Sequence, residues 1–249
     1  MKLPAGWIVP DWPAPARVRA FVTTRAGGVS EGEYGSLNLG MKSGDDPARV
    51  AANRLAVRAH LPSSPHWLAQ VHGNTAADLD MAGASGMTVA DAAATSVAGR
   101  VAVVLTADCL PVFLCREDGS RVAVAHAGWR GLAAGVLENA VIALGGEASR
   151  VLAWLGPAIG PAAFEVGPEV REAFVSAHGE DASAFTRRGE HKFMADLYAL
   201  ARLRLARAGV GGVSGGGFCT WTESRRFFSY RRVRESGRMG AFIWIDEGR

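Results

Sequence analysis

The chain has 249 residues, 49% of them hydrophobic and 20% charged, proportions ordinary for a soluble globular protein. That length suits one large domain or two small ones and allows a sizeable core. A net charge of +3 is too small an excess to argue for nucleic-acid binding, three cysteines cannot build a disulfide framework, and no stretch is long and apolar enough to span a bilayer.

Residues 1–16 are rich in Pro and Trp and read as an irregular arm, with prolines where a signal peptide needs a continuous apolar run, so a cytoplasmic location is expected. Val18 to Thr24 reads as a strand, and RAGGVSEGEYGS after it as a Gly-rich loop. Asp46 before Pro47 marks a helix start in DDPARVAANRLAVRAHL, with Val50, Leu55 and Val57 on the apolar face. HWLAQVHGN reads as a short strand ending in a turn at Gly73 and Asn74. Residues 76–100 are rich in Ala and Gly with weak periodicity and are expected to be loop-like with short elements. VAVVLT and RVAVAHA read as buried strands. Leu132, Val136, Leu137, Ala140, Val141 and Leu144 recur at helical spacing and predict one helix stopped at Gly145 and Gly146. VLAWLGPAIG reads as a strand entering a Gly-Pro turn, GPEVREAFVSAHG and FMADLYALARLRLARAG as helices, and FCTWTE, FFSYRR and GAFIWI as closing strands. With no internal repeat and no convincing linker, the expected class is mixed α/β: mixed sheets flanked by helices in a single domain over residues 1–249.

The segment Thr106–Gly131 holds Cys109, Cys115 and His126. Asp118-Gly119 is a two-residue hairpin signal, and a turn centred there sets residue 111 opposite residue 126. Cys109 and His126 then lie on one face as diagonal neighbours, roughly 7–8 Å apart at the backbone. Three readings remain: a buried cysteine near a core histidine, a thiolate nucleophile activated by His126, or a pair of zinc ligands. A catalytic zinc needs a third ligand and an open position, and His72 is the candidate. His60, His66, His178 and His191 sit in helical or loop contexts without an evident partner. Asp108 is either a carboxylate supporting the ligands, a general base, or a residue turned away by strand alternation. HAGWRG leads into a helix, so amides near Gly128 and Gly131 together with Arg130 suggest an anion site, with Trp129 either stacking on a base or packing in the core. Arg25 and Asn38 are further polar contact candidates, and the six arginines from Arg225 to Arg238 read as a basic surface strand or as binders of a phosphorylated substrate.

The stretches TTRAGGVSEGEYGSLNLG, QVHGN, TADCLPV, AHAGWRGLAAGVLENAV, GPAIGPAAFEVG and GGGFCTWTE…RFFSYRR…GRMGAFIW run in order from Thr23 to Trp244. In them the chain resembles the laccase-domain family, whose members are also named polyphenol oxidase, purine nucleoside phosphorylase and peptidoglycan editing factor. The resemblance implies a metal, taken to be zinc, on His72, Cys109 and His126, and a fold distantly similar to bacterial toxin domains with a Cys–His site. Some members carry two cysteines before FEVG; this chain has Ala162 and Ala163 there. The implied activity is C–N cleavage in purine nucleosides: phosphorolysis of adenosine, inosine and methylthioadenosine, and deamination of adenosine. Zinc suits the latter by lowering the pKa of bound water from about 15.7 toward about 7. Alternatives are an amidase removing L-serine from a nucleotide-linked muramic acid precursor, a copper-dependent phenol oxidase, and a non-enzymatic nucleic-acid-binding module. The leading reading needs a small nucleoside or nucleotide-linked substrate and phosphate, and neither nucleic acid nor a membrane as partner; it leaves the oligomeric state open.

Overall fold

Leu110–Cys115 and Val122–Ala127 are buried along their whole length, so this part of the chain carries no polar alternation. A sheet covered on both faces demands such a pattern. The computed structural model describes residues 3–81 and 87–248. Its strands, in chain order, are β1 (Val18–Val22), β2 (Ala76–Asp78), β3 (Ala92–Thr95), β4 (Ala102–Thr106), β5 (Leu110–Arg116), β6 (Val122–Ala127), β7 (Val151–Leu155), β8 (Glu165–Val166), β9 (Phe185–Arg188), β10 (Lys192–Ala195), β11 (Gly212–Gly215) and β12 (Met239–Ile245). The α-helices are α1 (Pro47–Arg58), α2 (Trp129–Ala133), α3 (Val136–Leu144), α4 (Pro168–Val175) and α5 (Leu197–Arg207).

The largest sheet has the order β11-β7-β5-β6-β3-β2, antiparallel at its centre and parallel at its two outer pairs. Leu110, Val112, Leu114, Ala123 and Ala125 pack one face onto α3 and α5 through Leu137, Val141, Leu200 and Leu205. Phe113, Cys115, Val122 and Val124 pack the other face onto the small sheet β1-β12-β4. A third sheet, β8-β10-β9, completes the mixed α/β architecture. The β5–β6 ladder pairs Pro111 with His126, the register read from Asp118-Gly119. Gly119 takes φ +69° there and donates its N–H to the Arg116 carbonyl at 2.9 Å.

Several expectations are corrected. The helix expected through residues 131–146 is two helices, because Gly135 adopts φ +94° between them. Phe193–Ala195 belong to β10, and α5 starts only after Asp196, whose carboxylate accepts the N–H groups of Tyr198 and Ala199. HWLAQVHGN forms no strand; it has isolated bridges at His66 and Ala69, and the Gln70 amide pairs with both backbone groups of Leu105. FCTWTE and FFSYRR are not strands either: Arg232 donates to the carbonyls of Thr220, Trp221 and Phe227, replacing a ladder with a side-chain clamp. In α1, Val50 and Val57 are buried but Leu55 is 72% exposed; Asn53 takes the inward position and ties down Ser30, Ser36 and Asn38. Of the loop-like stretch 76–100, residues 76–78 and 92–95 are strands and 82–86 lie outside the described residues. In the arm, of which residues 1 and 2 lie outside the description, Ile8 bridges Val22 and Trp7 stacks on Phe21 at 4.8 Å.

Candidate metal centre and its cavity

Three chain segments meet at one end of the β5–β6 hairpin. Cys109 immediately precedes β5, His126 lies on β6, and His72 sits on the loop before β2. One ligand-capable atom from each falls within 4.8 Å of the other two. His126 is buried, Cys109 half-buried and His72 exposed, so the trio connects the core with solvent. The two imidazole rings meet edge to face with centroids 4.9 Å apart.

The loop is held in an uncommon conformation. His72 takes φ +60°, in the left-handed region that non-glycine residues rarely occupy. The Asp91 carboxylate, fully buried, accepts the N–H groups of Val71 (3.1 Å), His72 (2.9 Å) and Gly73 (2.7 Å). Its Oδ1 also lies 2.8 Å from Nδ1 of His126, leaving Nε2 of that ring for the centre. Burial opposes ionisation of Asp91, but the bonds from His126, Gly73 and Val71 hold its pKa below the ordinary carboxylate range.

Burial also opposes the Cys109 thiolate, yet the charge on His126 and hydrogen bonds from His126 and His72 pull the thiol's pKa down. Burial pushes His126 toward its neutral form, while the Cys109 thiolate and Asp91 raise its pKa. Gly128 lets the backbone pass this group: a Cβ there would lie 2.8 Å from the Cys109 Sγ.

The trio forms part of the wall of a cavity of about 600 Å³. Trp67, Trp129, Phe164 and Tyr230 give it aromatic walls, and Lys42, Arg54, Arg130, Arg231 and Arg238 line it with positive charge. None of these five cations forms an ion pair with a carboxylate among the described residues. Burial lowers the Arg54 pKa to about 10, which still leaves it charged at neutral pH.

Arg130 lines the cavity with its guanidinium 4.3 Å from the Trp129 ring centroid, and Glu138 pairs instead with Arg204. Two expected substrate contacts lie elsewhere. Arg25 donates to the carbonyls of Gly35 and Ser224 and does not line the cavity. Asn38 is buried behind the cavity wall, accepting the N–H groups of Gly40 and Arg238 and donating to Ser43 and Asp45. Asp108 takes φ +88° and turns the chain between β4 and β5; its two oxygens accept the Thr220 hydroxyl and the Arg231 N–H, so it fastens the wall instead of serving as a free base. The Arg225–Arg238 stretch is no basic surface strand: Arg231 and Arg238 face the cavity, Arg232 clamps backbone carbonyls and Arg226 pairs with Glu223. Cys115 is buried in the sheet core with its pKa pushed up to about 12 by burial, and Cys219 accepts the Gly160 N–H away from the cavity lining.

The sequence reading missed Asp91, Lys42, Arg54 and Tyr230. Asp91 had one available signal, a lone acid inside the apolar run TVADAAAT, where an unpaired charge would be costly.

Fold and site together define a mixed α/β protein with a three-ligand, metal-competent centre opening into a basic, aromatic cavity. Residues 19–246 match the family model described as multi-copper polyphenol oxidoreductase laccase, and the chain belongs to that family, as its motifs imply. A Pseudomonas aeruginosa protein named purine nucleoside phosphorylase is 53% identical over 242 residues, covering 97% of this chain and 99% of the relative. The Escherichia coli purine nucleoside phosphorylase YfiH is 51% identical over 240 residues, covering 96% and 98%. A crystal structure of a Neisseria meningitidis protein superposes with a TM-score of 0.93 at 48% identity, covering 97% of this chain and 99% of that one. Among the described residues there is one three-ligand group of this kind, and no helix long and apolar enough to cross a membrane.

Proposed function

We propose that this protein is a zinc-dependent enzyme that cleaves C–N bonds in purine nucleosides. It phosphorolyses adenosine, inosine and methylthioadenosine, and deaminates adenosine. One observation carries the reading: a His-Cys-His group shares its cavity with five cations that form no ion pair with a carboxylate among the described residues. Guanidinium and ammonium groups recognise phosphate oxygens, and aromatic walls recognise a purine face. The names of the relatives support the same class of substrate.

The donor set, two imidazole nitrogens and one thiolate, suits zinc. His72, Cys109 and His126 would hold the zinc, which would supply Lewis-acid chemistry when bound. The chain's residues do the rest. Arg130 and Arg231 hold the phosphate and spread its charge. Trp129 and Tyr230 orient the base. In phosphorolysis a phosphate oxygen bonds to C1′ as the C1′–N9 bond breaks; the proton of hydrogen phosphate passes to the departing purine, leaving ribose 1-phosphate. In deamination water replaces the 6-amino group, which departs as ammonia.

The test is a product assay on zinc-loaded protein. Inosine should yield hypoxanthine only when phosphate is present, and adenosine should yield inosine without phosphate. Inertness toward nucleosides, combined with release of L-serine from the muramic acid precursor or oxidation of a phenol by the copper-loaded protein, would replace this reading.

A further inference from the structure

One carboxylate reaches two segments that are distant in sequence. Asp91 stands just before β3, 19 residues beyond His72 and 35 before His126. Its Oδ1 takes the His72 N–H and faces Nδ1 of His126, while Oδ2 takes the N–H groups of Val71 and Gly73. The Asp91 backbone carbonyl also accepts the His126 N–H at 2.7 Å. We infer that Asp91 is the positioning residue of the centre, fixing the His72 loop and the His126 ring together from a single buried carboxylate. This rests on the metal-centre reading above.

The chemistry is specific to a carboxylate. Four donors converge on two oxygens, each accepting two bonds, so every lone pair of an ionised Asp91 is used. Asparagine has nearly the same shape, but its NH₂ would oppose two of those donors. The amides of residues 71–73 have no other hydrogen-bond acceptor among the described residues, and His72 sits at φ +60°. A backbone conformation of that kind persists only where its surroundings enforce it. Losing the carboxylate therefore releases the loop and frees the His126 ring to turn.

Asp80 provides the control. It is another carboxylate packed beside β3, bonded to Thr95, Ser96 and Arg100 and to none of the three candidate ligands. Zinc affinity is measured by competition with a chromophoric chelator, and exchange of the backbone amides and of the His126 ring N–H by NMR on metal-free protein. Asp91→Asn should weaken zinc binding about 10- to 100-fold. It should also accelerate exchange at residues 71–73. Asp80→Asn should lower the melting temperature and leave zinc affinity unchanged. Folded Asp91→Asn with wild-type zinc affinity overturns the inference, as does an equal loss of affinity in Asp80→Asn. If wild-type protein binds no zinc, the metal-centre reading fails instead. The inference on Asp91 is then judged on the metal-free spectra. Protected amides at 71–73 and a slowly exchanging Nδ1–H on His126 support it; unprotected amides or a rapidly exchanging Nδ1–H refute it. The same two measurements on wild-type protein decide the matter if Asp91→Asn does not fold.

Discussion

The backbone of Gly128 runs so close to Cys109 that a Cβ built on it would lie 2.8 Å from the Sγ, and 3.2 Å from Cδ2 of His72. The glycine is needed for this approach and not for its backbone angles, since φ is −66°. Gly128→Ala should displace the thiolate and weaken zinc binding by about tenfold or more, or ~1.4 kcal/mol. Gly179→Ala, where a Cβ meets nothing within 4 Å, should leave affinity unchanged. Chelator competition on both variants checks the pair, and equal affinities would contradict this use of Gly128.

Arg130 should matter more for phosphate than for the metal. It lines the cavity without a carboxylate partner among the described residues, and a charge-assisted bond to an anion contributes about 1.5–3 kcal/mol. Arg130→Ala should raise KM for phosphate in inosine cleavage by roughly tenfold or more. Phosphate-independent deamination of adenosine should change far less. Equal losses in both reactions, read by steady-state kinetics, would assign Arg130 to the fold or to the shared centre.

Cys115 should be chemically silent. It is fully buried in the sheet core, with a thiol pKa of about 12. Native protein should show no labelling of Cys115 by a thiol reagent until it unfolds. Cys115→Ser should retain kcat and lose about 1–3 kcal/mol of stability, the cost of burying a hydroxyl without a partner. A collapse of kcat in a folded variant would give Cys115 a role that its position does not explain.

Acid stability has a defined contributor in Asp80. Burial opposes its charge, but bonds from Ser96 and Thr95 and the Arg100 ion pair lower its pKa to about 2, against 3.8 for the free group. A depressed pKa stabilises the folded state above the unfolded value, and that stabilisation is lost as pH falls from 3.8 toward 2. Denaturant titrations from pH 5 to pH 2 should therefore show a shallower loss of stability for Asp80→Asn than for wild type. Parallel curves would remove Asp80 from the account.

The parts of the site legible in sequence were those set by local rules. Asp118-Gly119 fixes the turn, and the turn fixes the register that pairs Pro111 with His126. QVHGN, TADC and AHAGW point to the three candidate ligands, yet only the folded chain brings His72 to a hairpin that begins 38 residues after it. Asp91 stayed hidden because its partners lie 18 to 35 residues away, and no short spacing encodes a hub of that kind. Arg25 and Asn38 looked like ligand contacts because loop polarity is ambiguous; folded, their donors and acceptors are used by Gly35, Ser224, Gly40 and Arg238. FFSYRR has strand composition, but the Arg232 clamp and the Asp108 bond to Arg231 override that local preference.

The central claim is that His72, Cys109 and His126 form one zinc centre on which turnover depends. Its most direct test is metal content and phosphate-dependent inosine cleavage measured together on wild type and on folded Cys109→Ala. The account predicts one zinc per chain and ribose 1-phosphate from wild type, and near-complete loss of both in the variant. Unchanged metal content with activity retained in Cys109→Ala would contradict it.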